Sequence, residues 1–333
     1  MKKIFSLQLA ATLALMTFGL TGCAKKTGVI RVNEVTHSIF YAPFYVAIEK
    51  GYFKEEGIEI DLTNGGGSDA SMTALLSNSA EIALLGPETG IYTLSGGASD
   101  YPIIFAQLTK RDGSFLVSRK SEPNFKWTDL VGKEIIAGRR GGSPAMSLQY
   151  ALNKNGLFDK QNVNLNYDVQ FSLTAAAFEG GTGDYVTMFE PTASEFQRLG
   201  KGYIVAAVGE ESGEVPFTCF MAKESFLKNN RDIAESFTKA LYKAVKYIME
   251  EEINDVADCL APQFPSSDIQ SIKDSISSYK RIDAWKTNMS MSESDFNRLQ
   301  NIMINAGELT SIVDYGKLVD NTIAEKTYKE VFG

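Results

Sequence analysis

Between Val29 and Leu62 the spacing of apolar positions changes twice, and it predicts a strand, a helix and a second strand. Val29, Arg31, Val32 and Val35 open with a mostly apolar, β-branched run, as a buried strand does. Pro43 has no N–H to lose at the first helical position, and Phe44, Ala47 and Ile48 then line one helical face. Lys50 falls in the last turn and Gly51 just past it, where a left-handed residue costs least if it is glycine. Residues 58–62 alternate apolar and charged. The whole is a βαβ unit, and such units gather ligands at the carboxyl ends of their strands. The loop 36–42 (T-H-S-I-F-Y-A) therefore sits at a binding edge.

The pattern recurs once. Residues 134–138 predict a strand, 139–143 a glycine-rich loop, and Pro144 opens a helix over 145–155 that Gly156 ends. G-Y-F-K-E-E-G-I-E-I-D-L follows from Gly51, and G-L-F-D-K-Q-N-V-N-L-N-Y from Gly156. The offset is 105 both between Gly51 and Gly156 and between Gly57 and Asn162, residues that tolerate positive φ well. Two lobes of like construction are expected.

Short apolar strands are expected at 82–85 and 185–189, ending in G-P-E-T and F-E-P-T. A strand pair at 101–108 and 113–118, with Lys110-Arg111-Asp112 between, carries the chain from one lobe to the other. Strands at 203–208 and 215–221 carry it back. Ser68 or Asp69 would cap a helix running through Ser79, and Ser290 with Glu293 would form a capping box for a helix over 293–306. Helices over 233–248, 266–279 and 321–331 read as scaffold. The expected fold is α/β, two-lobed and hinged, with lobe 1 made of 28–112 and 213–333 and lobe 2 of 113–212. The C-terminal helices belong to lobe 1.

The N-terminus changes the picture of where the chain works. Lys2 and Lys3 precede an apolar run over 4–20, and L-T-G-C ends at Cys23. That is a secretory signal over 1–22 with a bacterial lipobox, implying a diacylglyceryl group on Cys23 and a tether over 23–27. Cleavage removes the two lysines and no acid, so the net charge moves from −8 to −10. An acidic surface speaks against nucleic acid and against a polybasic membrane patch. Cys219 and Cys259 could pair outside the cytoplasm, although two buried thiols are the simpler reading.

Few side chains suggest chemistry. His37 is the single histidine, which excludes a His-rich metal site and the usual Ser-His-Asp triad; it is either a ligand contact or a satisfied loop residue. Phe40 and Tyr41 form either a stacking platform or packing under the loop. Arg140, Gly142 and Ser143 precede a helix start that would favour an anion, but the G-K-[ST] ending of a nucleotide-binding loop is missing. Glu88 and Glu190, at strand ends, either accept hydrogen bonds from a ligand or cap helices. Gln107, Phe171 and Phe189 complete the candidate set. No cofactor or metal is called for.

The segments T-H-S-I-F-Y-A-P-F-Y-V-A-I-E-K-G-Y-F-K-E-E-G-I-E-I, G-G-G-S-D and A-L-L-G-P-E resemble one family. It is the family of bacterial substrate-binding proteins that includes nitrate, sulfonate, taurine and thiamine-pyrimidine-precursor binders. D-L-V-G-K-E-I-I-A-G-R-R-G-G-S and D-Y-V-T-M-F-E-P are similar to its second-lobe signatures. The resemblance implies a type II periplasmic-binding-protein fold and a monomeric receptor that feeds an ABC permease with a small molecule. Pyrimidine-precursor relatives usually carry a Trp-containing loop and a His shortly before the Y-V-A segment, where this chain has His37 and Tyr41, and the eukaryotic synthases carry a cysteine cluster where it has only Cys219. Ligand chemistry stays open between a flat heteroaromatic compound and an anion such as a sulfonate. A pyrimidine-synthase-like enzyme and a surface adhesion module are the rivals. Turnover would mark the first, and the lack of a deep cleft the second.

Overall fold

The computed structural model describes residues 28–333. The signal segment, Cys23 and the tether lie outside the described residues. Among the described residues ten strands form two five-stranded sheets of the same construction. The first has the order β2-β1-β3-β10-β4, with β1 Gly28–Glu34, β2 Ile58–Asn64, β3 Ile82–Leu85, β4 Pro102–Thr109 and β10 Thr218–Lys223. The second has the order β7-β6-β8-β5-β9, with β5 Ser114–Ser118, β6 Glu134–Ile136, β7 Asn164–Asn166, β8 Tyr185–Phe189 and β9 Tyr203–Ala207. In each, three parallel strands meet one antiparallel strand that has just arrived from the other sheet: β10 beside β3, and β5 beside β8. The chain thus crosses between Thr109 and Ser114 and returns between Ala207 and Thr218.

The local punctuation works as the pattern implies, with some differences. Gly51 and Gly156 are both left-handed, at φ 74° and 72°. Gly57 is too, but its partner Asn162 is not; Lys160 takes the left-handed position instead. Asn162 acts through its side chain, accepting from Phe158 N and donating to Gly156 O, and so ties the turn together. The helix after β2 begins at Ser68 with Gly67 before it, has no side-chain cap and stops at Leu76. The late helix Glu293–Asn305 is capped by Ser292, which accepts from Asp295 N, rather than by Ser290. Val29 faces out, while Ile30 and Val32 of the same strand are buried.

The first sheet is backed by the C-terminal helices. Phe44 of the Ala42–Glu49 helix and Phe237 of the Arg231–Glu250 helix meet at 6.2 Å between ring centroids, beside Phe53 and Phe220. Burial of these aromatic side chains holds that layer together. Another C-terminal helix, Ile269–Arg281, also reaches the second lobe from both its ends: Arg198 pairs with its cap Asp268 at 2.5 Å, and Arg281 with Glu210 at 2.5 Å. Cys219 is buried and Cys259 partly so, and both are free thiols. Among the described residues no helix is long and apolar enough to cross a membrane.

Candidate functional site

The carboxyl ends of β1 and β3 face those of β6 and β8 across a cavity of about 650 Å³, open mouth included. The first lobe supplies Val35, Thr36, Tyr41, residues 66–69, Gly86, Glu88, Phe217 and Thr218; the second supplies Arg139, residues 142–144, Gln170, Phe171 and Phe189. Phe171 meets Phe189 edge-on at 5.7 Å, and Phe189 lies 6.2 Å from Phe217, so one wall is aromatic.

Glu88 is the polar centre of this cavity. It starts the Glu88–Ser95 helix after the turn Gly86-Pro87 and is 1% exposed. Its carboxylate folds back over Gly86, where a Cβ would lie 2.0 Å from Glu88 Oε2; the turn accepts glycine alone without rearranging the acid. Across the cleft Ser143 Oγ donates to Glu88 Oε2 at 2.5 Å, and Ser143 N approaches Oε1 at 3.4 Å. Burial pushes the Glu88 carboxyl pKa up from its ordinary value, against the pull of the Ser143 bonds and of Arg139.

Glu190 makes the corresponding contact inside one lobe. Its carboxylate accepts from Ser194 N at 2.9 Å and Ser194 Oγ at 2.7 Å, at the start of its own lobe's Thr192–Arg198 helix. Its carboxylate makes the capping contact, and Glu190 lines an adjoining cavity rather than the main one. Its backbone still links the lobes: Ser38 Oγ donates to Glu190 O at 2.6 Å, and Glu190 N donates to Tyr279 Oη at 2.9 Å. Tyr92 Oη, from the first lobe, donates to Gly141 O of the second at 2.9 Å. The lobes are therefore in contact around the cavity.

Six of the candidate residues line this cavity: Tyr41, Glu88, Gly142, Ser143, Phe171 and Phe189. Phe40 does not. It is fully buried beneath the loop, against Tyr41, Phe189, Phe217 and Tyr279, where it packs at the junction of the two lobes. Gln107 is buried in β4 and spends its amide on Thr109 O. Arg140 turns away, stacking on Tyr167 at 3.9 Å, and its neighbour Arg139 faces the cleft, 3.9 Å from Asp69 of the other lobe. His37 lines an adjoining cavity of about 680 Å³, mouth included, that shares Thr36, Phe171 and Phe189 with the first. Both its ring nitrogens face acceptors, Glu34 Oε1 and Gln263 O, each at 2.8 Å, an arrangement that only the imidazolium satisfies at both ends. Burial lowers its basicity, but these two bonds and the Glu34 charge outweigh that and leave it raised.

Sequence reasoning placed Arg139 only in a glycine-rich loop and Asp69 only at a helix cap, and missed Gln170, Phe217 and Thr218. The cluster G-G-G-S-D over 65–69 was the available signal for Asp69, because a glycine run next to a strand end lets a ligand approach the backbone. Among the described residues no group of three or more His, Cys, Asp or Glu side chains is placed to hold a metal ion.

The comparisons with known proteins agree with this fold. A Bacillus subtilis protein named only as a binding protein, YtlA, is 45% identical over 317 residues, 95% of each chain. The 4-amino-5-hydroxymethyl-2-methylpyrimidine phosphate synthase of Aspergillus parasiticus is 24% identical over 225 residues, 64% of each. The crystal structure of the periplasmic nitrate-binding protein NrtA from Synechocystis superposes with a TM-score of 0.76 at 14% identity, covering 93% of this chain and 90% of that one. The fold is that of periplasmic binding proteins. The model of the family described as NMT1/THI5 like matches residues 39–252, and the chain belongs to that family.

Proposed function

We propose that this protein is the extracytoplasmic solute receptor of an ABC importer, and that its ligand is a small, flat nitrogen heterocycle bearing N–H donors. The observation that carries the ligand class is the buried Glu88 carboxylate set into an aromatic-lined cavity between the lobes. Aromatic faces favour a flat ring, and a carboxylate is the acceptor that rewards N–H donors most. The ligand bridges the two lobes, stabilises the closed arrangement, and the closed form docks on a permease. No step of this role needs a catalytic residue.

The alternative ligand is an anion, favoured by Arg139 and by the helix start at Ser143. The Ser143 hydroxyl and N–H, however, point at Glu88.

The test is calorimetric titration of the purified protein with 4-amino-5-hydroxymethyl-2-methylpyrimidine, nitrate and taurine. Binding of the pyrimidine, recovered chemically unchanged, supports the reading. Conversion of the pyrimidine to a new product would replace the receptor with an enzyme. Membrane attachment through Cys23 belongs to the same proposal. Two acyl chains give stable anchoring where one is marginal, so Cys23→Ala should appear in the soluble fraction or remain as uncleaved precursor.

A further inference from the structure

We infer that Glu88 sets the charge of the ligand: it is a built-in anion seated on the start of the Ser143–Lys154 helix, and it bars anionic solutes from the cleft. The inference rests on the cleft being the ligand site, as proposed above.

The helix runs for 12 residues, and its own segment leaves its N-terminus bare. Gly142 stands at the N-cap with no side chain to offer, and the first turn holds no acid. A helix end of that kind has unsatisfied N–H groups and a partial positive charge, and it attracts an anion. In this protein the anion comes from the opposite lobe. Glu88 reaches Ser143 Oγ at 2.5 Å while 1% exposed, and Gly86 leaves the space that its carboxylate needs. Glu190 shows the contrast, because its carboxylate caps a helix of its own lobe.

A sulfonate or nitrate entering the cleft would meet a carboxylate where the helix end should be. Arg139, half exposed and already 3.9 Å from Asp69, offers limited compensation. A ligand with N–H donors meets no such conflict, since it can share Glu88 with Ser143.

The test is titration of wild type, Glu88→Ala, Glu88→Gln and Glu190→Gln with sodium ethanesulfonate, with melting curves to establish folding. Glu88→Ala vacates the helix end, and its affinity for ethanesulfonate should rise about tenfold or more over wild type. Glu88→Gln keeps the shape and removes the charge, so its gain should be smaller but present. If Glu88→Ala fails to fold, Glu88→Gln carries the test. Absence of gain in the folded Glu88 variants overturns the inference, as does an equal gain in Glu190→Gln, which would reduce the effect to general charge. Titrating wild type with the aminopyrimidine separates the two claims: no binding there fails the proposed ligand class, whereas the inference is judged on the ethanesulfonate ratio alone.

Discussion

Glu88 and Ser143 belong to different lobes and are joined by a hydrogen bond of 2.5 Å from the serine hydroxyl to the carboxylate, with the serine N–H 3.4 Å from the other oxygen. The same pair of donors, hydroxyl and N–H, reaches Glu190 from Ser194 within a single lobe. One contact fixes a helix start inside a lobe; the other spans the cleft. In the proposed role a ligand seated in the cavity would share Glu88 with one of the bonds that join the lobes, so recognition and closure would act on one side chain.

Replacing Glu88 by glutamine should weaken an aminopyrimidine-type ligand on the order of ten- to a hundredfold. A hydrogen bond to a charged group contributes about 1.5–3 kcal/mol, and the amide retains only part of it. Isothermal titration reads the change, and an unaltered affinity would take Glu88 out of the site.

Phe40 should matter to stability. It is fully buried against four aromatic rings at the lobe junction. Phe40→Ala should lower the unfolding free energy by about 3–5 kcal/mol, as large-to-small changes in tight cores do. Denaturant melts would show it as a lower midpoint. A variant as stable as wild type would mean that the ring is not packed as described.

Asp112, at the first crossing between sheets, should make stability depend on pH. Burial pushes its carboxyl up to about 7 from 3.8, against hydrogen bonds from Ser114 and Ser147. Because the folded value is the higher one, the folded state binds the extra proton. Its contribution is fully present below pH 3.8 and is lost as pH rises toward 7. Asp112→Asn removes that loss and can still accept from Ser114 N. The melting temperature of the variant relative to wild type should therefore rise between pH 5 and pH 8, and a flat difference would contradict the assignment.

The strands and the doubled lobe were legible because they depend on local rules. β3 and β8 are isolated apolar runs, and Gly51 and Gly156 are left-handed wherever a helix must stop and turn. The site was less legible because neighbouring residues part company in three dimensions. Arg139 and Arg140 are adjacent, yet one faces the cleft and the other lies on Tyr167. Glu88 and Glu190 looked alike from the chain, since both stand beside a proline at a strand end. Which of them spans the cleft depends on where the opposite lobe places Ser143, and no local pattern encodes that.

The central claim, that the cleft holds a solute and does not transform it, is tested most directly by mass spectrometry on the protein as isolated from cells. Native spectra would report bound mass, and denaturation would release the compound for identification. The account predicts one small nitrogen heterocycle with N–H donors per chain, displaced intact and reduced in Glu88→Gln. A stoichiometric sulfonate or nitrate in the wild-type protein, or a chemically altered pyrimidine, would contradict it.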